Sequence, residues 1–131
     1  MIAFCTYCSA EKNKATLPMP AIDLYKSNRI AQIYEQAKKA NFSFVIFSGK
    51  YGIVSPNELI APYDHLLITA EVDAHIELII SQIRSLEITE MSFFMNSLEE
   101  DPNLKPYLEC LERACLKLKI PLRIEIVKLQ D

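Results

Sequence analysis

The chain has 131 residues, 50% of them apolar, and its 14 basic and 17 acidic side chains give a net charge of −3. This length and apolar content predict one globular domain over residues 1–131. The net negative charge argues against a protein that coats nucleic acid, and no stretch approaches the roughly 20 apolar residues of a membrane span. The first residues lack the pattern of a secretory signal, so we expect a cytoplasmic protein whose four cysteines stay reduced.

Four β-prone segments alternate with three segments of helical periodicity. In chain order, the predicted elements are a strand at 2–7, a helix at 24–40, a strand at 42–48, a helix at 70–86, a strand at 91–96, a helix ending near 119 and a strand at 122–129. Asp23, Thr69 and Asp101 are predicted to cap the three helices, and Asn41 to end the first. The last strand partly alternates apolar and charged residues, as edge strands do.

The order β-α-β-α-β-α-β predicts an α/β fold, a three-layer αβα arrangement around a mostly parallel four-stranded sheet. In open parallel sheets, ligands bind beyond the carboxyl ends of the strands. The two longest predicted loops, 8–22 and 49–68, begin at such ends and carry polar side chains. We therefore predict a ligand site at the C-terminal edge of the sheet.

Both glycines of the chain lie in the segment Ser48-Gly49-Lys50-Tyr51-Gly52, directly after its most apolar strand. Glycine permits positive φ and close backbone approach, so this loop is a candidate ligand-binding loop. Lys50 would meet a phosphate or carboxylate, and Tyr51 would stack on a ring. The spacing matches neither the phosphate-binding loop nor the dinucleotide fingerprint, and a tight turn is the structural alternative.

Charge is unevenly divided along the chain. Residues 1–52 carry seven basic and three acidic side chains, a net +4, whereas the remainder carries seven basic and fourteen acidic ones, a net −7. The basic part contains the glycine loop, which fits an anionic ligand there. An unevenly charged solvated surface is the alternative.

The segment Cys8-Ser9-Ala10-Glu11-Lys12 offers a thiol, a hydroxyl and an ammonium. A nearby lysine can activate a cysteine as a nucleophile; alternatively, Ser9 and Lys12 hold an anion while Cys8 only packs. Cys5 and Cys8 have the Cys-x-x-Cys spacing of metal sites, but zinc needs two further ligands. We predict no metal site, and the sequence indicates no particular cofactor.

The second loop closes with Pro62-Tyr63-Asp64-His65. Asp64 beside His65 is either an acid/base pair or a structural anchor, and Asp64 is the better functional candidate. Tyr63 is a candidate ligand-binding residue. Tyr25 and Ser27, at the start of the first helix, are candidates that would face the site from the helix N-terminus.

Four blocks of the sequence, taken together, resemble the DUF6884 family of small uncharacterised α/β domains. The blocks cover residues 8–65 and read Cys8-Ser9-x-x-Lys12, Ala21-x-Asp23-Leu24-Tyr25-x-Ser27, Ile46-Phe47-Ser48-x-Lys50-Tyr51-Gly52-Ile53-Val54-x-Pro56 and Ile60-x-Pro62-Tyr63-Asp64. Two features depart from the family pattern. Gly49 stands where alanine is usual, and the first helix lacks an arginine expected near Ile33 or Tyr34, for which Arg29 is the nearest substitute.

The first block, with a following Tyr-x-x-Ser-like element, also resembles, more distantly, the core domain of archaeosine synthase. That domain looks like a uracil-DNA-glycosylase-type fold and works on a modified deazaguanine in tRNA. This resemblance implies a nucleobase or nucleotide role. It would gather several of the candidates around one pocket, namely Cys8, Ser9, Lys12, Ser27, Lys50, Tyr51 and Asp64.

The leading hypothesis is a domain that binds or acts on a nucleotide or modified nucleobase, with a small anionic or nucleobase-containing partner. Cys8 or Lys12 would be the nucleophile and Asp64 the acid/base. Bulk nucleic acid is not expected as a partner, whereas a single base or an RNA or DNA end is compatible. The alternatives are a non-catalytic binding module for a ligand or partner chain, and an assembly protein that uses its acidic helices as an interface.

Overall fold

A five-stranded sheet forms the centre of the computed structural model, which describes residues 1–128. The strands are β1 (Ile2–Tyr7), β2 (Met19–Pro20), β3 (Ser43–Ser48), β4 (Gly52–Val54), β5 (Leu59–Ile60), β6 (Glu90–Met95) and β7 (Leu122–Ile126). The helices are α1 (Ala21–Leu24), α2 (Asn28–Ala40), α3 (Val72–Ser85) and α4 (Lys105–Leu118). The sheet order is β4-β3-β1-β6-β7, while β2 and β5 pair separately as a short antiparallel ribbon.

The helices cover both faces of the sheet, which confirms the layered α/β prediction. Along β3, Phe44 and Ile46 pack in a core with α1 and α2, whereas Val45 and Phe47 pack in a second core with α3 and α4. A strand buried on both faces needs a continuous apolar run, which is why the sequence over β3 does not alternate. None of the helices within residues 1–128 has the length and apolar character to cross a membrane.

The predicted four-stranded sheet is wrong in one respect, because the predicted loop 49–68 contributes a fifth strand. The Oγ of Ser48 accepts the backbone N–H groups of Lys50 (3.1 Å) and Tyr51 (2.9 Å), and Gly52 adopts a φ of 75°. This turn sends β4 back antiparallel to β3, with Ser48 opposite Gly52. The other three strand pairs of this sheet are parallel.

The predicted helix at 24–40 is also wrong at its start. The chain forms the single turn α1, and Tyr25 then turns extended and makes a β-bridge with Lys12. α2 begins anew at Asn28, and Ser27 rather than Asp23 caps it by accepting the N–H of Ile30 at 3.1 Å. A long-range contact with the first loop therefore overrides the local helical pattern.

The remaining boundaries fall close to their predicted positions, with different caps. Asn41 ends α2 in the left-handed conformation (φ 59°), as predicted. Glu71, not Thr69, supplies the carboxylate that accepts the N–H of Ile68 before α3, and Asp101 makes no side-chain cap hydrogen bond. β7 ends at Ile126, and predicted strand residue 129 lies outside the described residues.

Candidate functional site

Two neighbouring cavities at the carboxyl edge of the sheet share a wall formed by Asp64 and His65. The smaller has a volume of about 230 Å³ and lies where β1 ends. The larger, of about 630 Å³, lies beside the turn that follows β3. Both cavities therefore occupy the edge of the sheet at which ligands of parallel α/β proteins bind.

The predicted site residues divide between these cavities. Cys8, Ser9, Lys12 and Asp64 line the smaller cavity. The larger is lined by Gly49, Lys50, Tyr63 and again Asp64. The other five candidates stand outside these two linings, namely Tyr25, Ser27, Ser48, Tyr51 and Gly52.

The first loop places Cys8 between the sheet and α4. Its sulfur lies 3.8 Å from the hydroxyl oxygen of Tyr107, which also accepts the backbone N–H of Leu67 at 3.1 Å. Burial, reinforced by the nearby Cys8, raises the pKa of Tyr107. The Tyr107 hydroxyl is therefore neutral at physiological pH and keeps a proton that it can donate to the sulfur or to a ligand.

The ammonium group of Lys12 lies against tyrosine rings. Its nitrogen is 4.6 Å from the ring centre of Tyr63 and 5.7 Å from that of Tyr25, and it donates a hydrogen bond to Ala10 O at 3.3 Å. Ser9 is buried, and its hydroxyl donates to Glu11 O at 2.7 Å, which shapes the same loop. Cation–π contacts with these two rings thus hold the Lys12 ammonium group at the smaller cavity.

The two tyrosines that contact Lys12 belong to a hydrogen-bonded chain of three hydroxyl groups. Ser48 Oγ donates to the hydroxyl of Tyr63 at 2.8 Å, and the hydroxyls of Tyr63 and Tyr25 lie 2.7 Å apart. Burial is the main cause that raises the pKa of both tyrosines. Ser48, Tyr25 and Tyr63 therefore act as a neutral, mutually bonded scaffold rather than as bases.

Close packing against backbone atoms requires glycine at position 49, and a positive φ of 75° favours it at position 52. A Cβ added at Gly49 would lie 2.7 Å from both His65 O and the Tyr107 hydroxyl, and 3.0 Å from Leu67 N. A Cβ at Gly52 would collide with the Gln82 side chain. The glycine loop is a tight turn as well as a wall of the larger cavity.

Gln82 is a positioning residue that the sequence did not single out. Its Oε1 accepts the N–H of Ile53 at 2.6 Å, and its Nε2 donates to Tyr51 O at 2.8 Å. The side chain of Tyr51 points to the second loop, where its hydroxyl donates to Ala61 O at 3.1 Å. Helix α3 thereby fixes the turn that carries Lys50.

Arg29 is fully buried beneath the end of β1. Its guanidinium lies 3.5 Å from the ring centre of Tyr7, and it donates to Thr6 Oγ1 (2.6 Å) and to the carbonyl oxygens of Tyr7 (2.7 Å) and Cys8 (3.4 Å). The Thr6 hydroxyl in turn donates to Phe94 O at 2.8 Å. Arg29 therefore holds the strand end from which Cys8 projects.

Two histidines stand beside the larger cavity. The Nε2 of His65 lies 2.9 Å from a Glu71 carboxylate oxygen. The Nε2–H of His75 donates to Ser48 O at 3.2 Å, and its ring stacks on Phe47. Burial lowers the pKa of His75, so it is neutral at physiological pH.

The remaining cysteines are buried away from the cavities. Burial raises the pKa of Cys5, raises that of Cys110 to about 12 and raises that of Cys115 to about 11. Within residues 1–128, no group of three or more histidine, cysteine or acidic side chains has the geometry of a metal site. Of the cysteines within residues 1–128, Cys8 is thus the one that lines these two cavities.

Several lining residues were not among the predicted site residues, and three polar ones come from the segment after β6: Asp101, Asn103 and Tyr107. They follow β6, and the only sequence signal for them is their place after a predicted strand end. Asp101 was interpreted as a helix cap, and its side chain instead lines the smaller cavity. Tyr107 lies among the buried residues of α4, and no neighbouring residue in the sequence marks its hydroxyl group as part of a site.

Comparison with protein families gives one match. A family model described as a family of unknown function, DUF6884, matches residues 6–122. This span includes all four blocks on which the resemblance rested and extends through α4. Neither the curated proteins nor the solved structures contain a match to the chain.

Proposed function

We propose that this chain, which belongs to the DUF6884 family of unknown function, binds a nucleobase-containing small molecule at the carboxyl edge of its sheet. The observation that carries the proposal is the smaller cavity, where aromatic rings and hydrogen-bonding groups surround about 230 Å³. This volume is below the roughly 300–1,000 Å³ of pockets for drug-sized ligands. It suits a single planar ring system.

The polar groups of the cavity favour a ring with hydrogen-bond donors. The carboxylates of Asp64 and Asp101 only accept hydrogen bonds when ionised, and the amide of Asn103 accepts and donates. Ring N–H and exocyclic amino groups of purines are complementary to such a set. Tyr7 and Tyr107 supply the aromatic surface against which a base packs.

The charged residues of the two cavities indicate that each would bind a different part of the ligand. Asp64 and Asp101 outnumber Lys12 in the smaller cavity, so a phosphate is disfavoured there. Lys50 lines the larger cavity on the other side of Asp64. A sugar or phosphate attached to the base would extend towards Lys50.

The same arrangement supports candidate roles for Cys8, Lys12 and Asp64 in a reaction. Cys8, beside the proton-bearing Tyr107, or Lys12 would be the nucleophile, and Asp64 would be the acid/base group. The distant resemblance to archaeosine synthase points to the same ligand class. Reversible binding without turnover is the alternative, and one substitution separates the two.

A thermal-shift titration with purine and deazapurine bases, nucleosides and nucleoside monophosphates tests the proposal. A ligand at about 100 times its dissociation constant stabilises the fold by about 2.7 kcal/mol, which for this chain is a rise of about 10 °C in Tm. We expect Asp64→Asn to weaken binding at least ~10-fold, since a single charge-assisted hydrogen bond is worth about 1.5–3 kcal/mol. Glu112→Gln, which changes an exposed carboxylate on α4 outside both linings, is the matched control and keeps wild-type affinity.

Two further variants assign the parts of the ligand and the chemistry. Lys50→Ala is expected to weaken binding of the nucleotide but not of the free base. Cys8→Ser is expected to keep binding and to abolish product formation, whereas retained turnover would make Cys8 a packing residue. Absence of a shift with every compound, or equal affinities for Asp64→Asn and Glu112→Gln, rejects the proposed ligand class.

A further inference from the structure

The two edges of the central sheet differ in how they are covered. At one edge, β4 is buried, and the outward N–H of Ile53 is bonded to Gln82. At the other edge, β7 has no neighbouring strand on its outer side among residues 1–128. Four of its five residues are exposed, and Ile126 keeps 56% of its surface. An open edge strand of this kind is a template for pairing with another chain.

The hydrogen bonds to β6 show which backbone groups of β7 face outwards. The N–H of Met91 donates to Pro121 O at 3.0 Å, and the N–H of Val127 donates to Met95 O at 2.9 Å. Because backbone direction alternates along a strand, odd-numbered positions bond to β6. Positions 122, 124 and 126 therefore present their N–H and C=O groups to the open edge.

The sequence of β7, Leu-Arg-Ile-Glu-Ile, is self-complementary when two copies run antiparallel. With Ile124 opposite Ile124 of a second copy, Arg123 lies opposite Glu125 and Leu122 opposite Ile126. The outward-facing positions then form the hydrogen-bonded pairs, about six bonds in all. The charged positions form the closer, non-hydrogen-bonded pairs, and opposite charges there stabilise a sheet.

The two faces of such a pairing also match. Leu122, Ile124 and Ile126 are in register with Met91, Phe93 and Met95, which belong to the core beneath α3 and α4. Side by side, the apolar residues of two copies would extend that core across the junction. Arg123 and Glu125 point to the opposite face, where they would form two symmetric ion pairs.

We propose that β7 is a homodimer interface, through which two copies of this chain join their sheets antiparallel about a two-fold axis at Ile124. A two-fold interface requires one surface to complement itself, which this five-residue strand does in hydrogen bonding, apolar contact and charge. The proposal is independent of the ligand site, which lies at the carboxyl edge rather than on β7.

Sedimentation velocity across a concentration series tests the interface. The wild-type protein is expected to sediment as a species with twice the mass of one chain. Arg123→Glu and Glu125→Arg each place like charges opposite one another and are expected to raise the dimer dissociation constant at least ~10-fold. The double charge swap, Arg123→Glu with Glu125→Arg, restores the opposite pairs and is expected to restore the dimer. Glu99→Arg reverses an exposed charge outside β7 and is the control.

Ile124→Pro gives a second test that spares the fold. It removes an N–H that faces outwards and so leaves the ladder to β6 intact, and circular dichroism checks that the variant is folded. We expect a monomer. A wild-type monomer throughout the series, a dimer insensitive to both charge reversals, open-ended oligomers, or failure of the charge swap to restore pairing overturns the proposal.

Discussion

Substitution of Gly49 by alanine tests whether the wall between the two cavities is as closely packed as the structure indicates. The new Cβ would lie 2.7 Å from His65 O and from the Tyr107 hydroxyl, and 3.0 Å from Leu67 N. Two of these three atoms are backbone and cannot rotate away.

The expected cost combines two opposing contributions. Overpacking of this kind costs about 1–3 kcal/mol, while loss of glycine's freedom in the unfolded chain returns about 0.4–1 kcal/mol. Because two of the three close atoms are backbone, we use the upper half of the overpacking range, about 2–3 kcal/mol, and a return of about 1 kcal/mol. The net destabilisation of Gly49→Ala is therefore about 1–2 kcal/mol. An unfolding entropy of about 2.1 cal/mol/K per residue, or about 0.28 kcal/mol/K for this chain, converts this into a Tm lowered by about 4–7 °C.

Urea denaturation followed by circular dichroism measures this free energy, and Tyr107→Phe completes a double-mutant cycle. Tyr107→Phe alone costs about 1–3 kcal/mol because it leaves the N–H of Leu67 without its acceptor. In that background Gly49→Ala meets one fewer atom, so its cost falls by at least ~0.5 kcal/mol. An alanine variant as stable as wild type, or a coupling energy of zero, refutes the close-packed wall.

Three further outcomes follow from the same contacts. Iodoacetamide at pH 8 is expected to label only Cys8 in the native protein, since burial raises the pKa of the other three thiols; peptide mass spectrometry showing a second site contradicts this. Folding lowers the pKa of His75, so below about pH 6.5 the unfolded chain binds more protons than the folded chain. The free energy of unfolding is therefore expected to decrease as the pH is lowered from about 6.5 to the folded-state pKa. His75→Gln should flatten that slope between pH 7 and 5, and an unchanged slope rejects the assignment. Gln82→Ala should cost about 1–3 kcal/mol in urea denaturation, whereas the exposed control Gln36→Ala stays within about 0.5 kcal/mol; equal effects would remove Gln82 from its positioning role.

The sequence predicted the position of the two cavities better than the set of residues that line them. The polar segments after β1 and β3 were identified because parallel strands end at one edge of a sheet. Cys8, Ser9, Lys12 and Asp64 do line one cavity, with Asp64 shared by the second. Functional roles for these residues remain predictions, which the variants above test.

The break in the first predicted helix could not be predicted from local sequence. Apolar spacing favoured one helix over 24–40, and Asp23 was a good cap by residue type. The chain instead uses Tyr25 in a bridge to Lys12 and starts again at Ser27. A contact between residues 13 apart in the chain cannot be read from the periodicity of either segment.

The sequence alone determined the order of the three longer helices and of the four strands that they connect, the layered α/β class, the edge character of β7 and the glycine turn. Each of these is encoded by neighbouring residues through burial period and backbone freedom. Tertiary structure decided which side chains meet. Tyr107 reaches Cys8 across 99 residues, and Gln82 reaches Ile53 across 29. Such contacts depend on helix orientation and strand register, which arise only when the whole core packs.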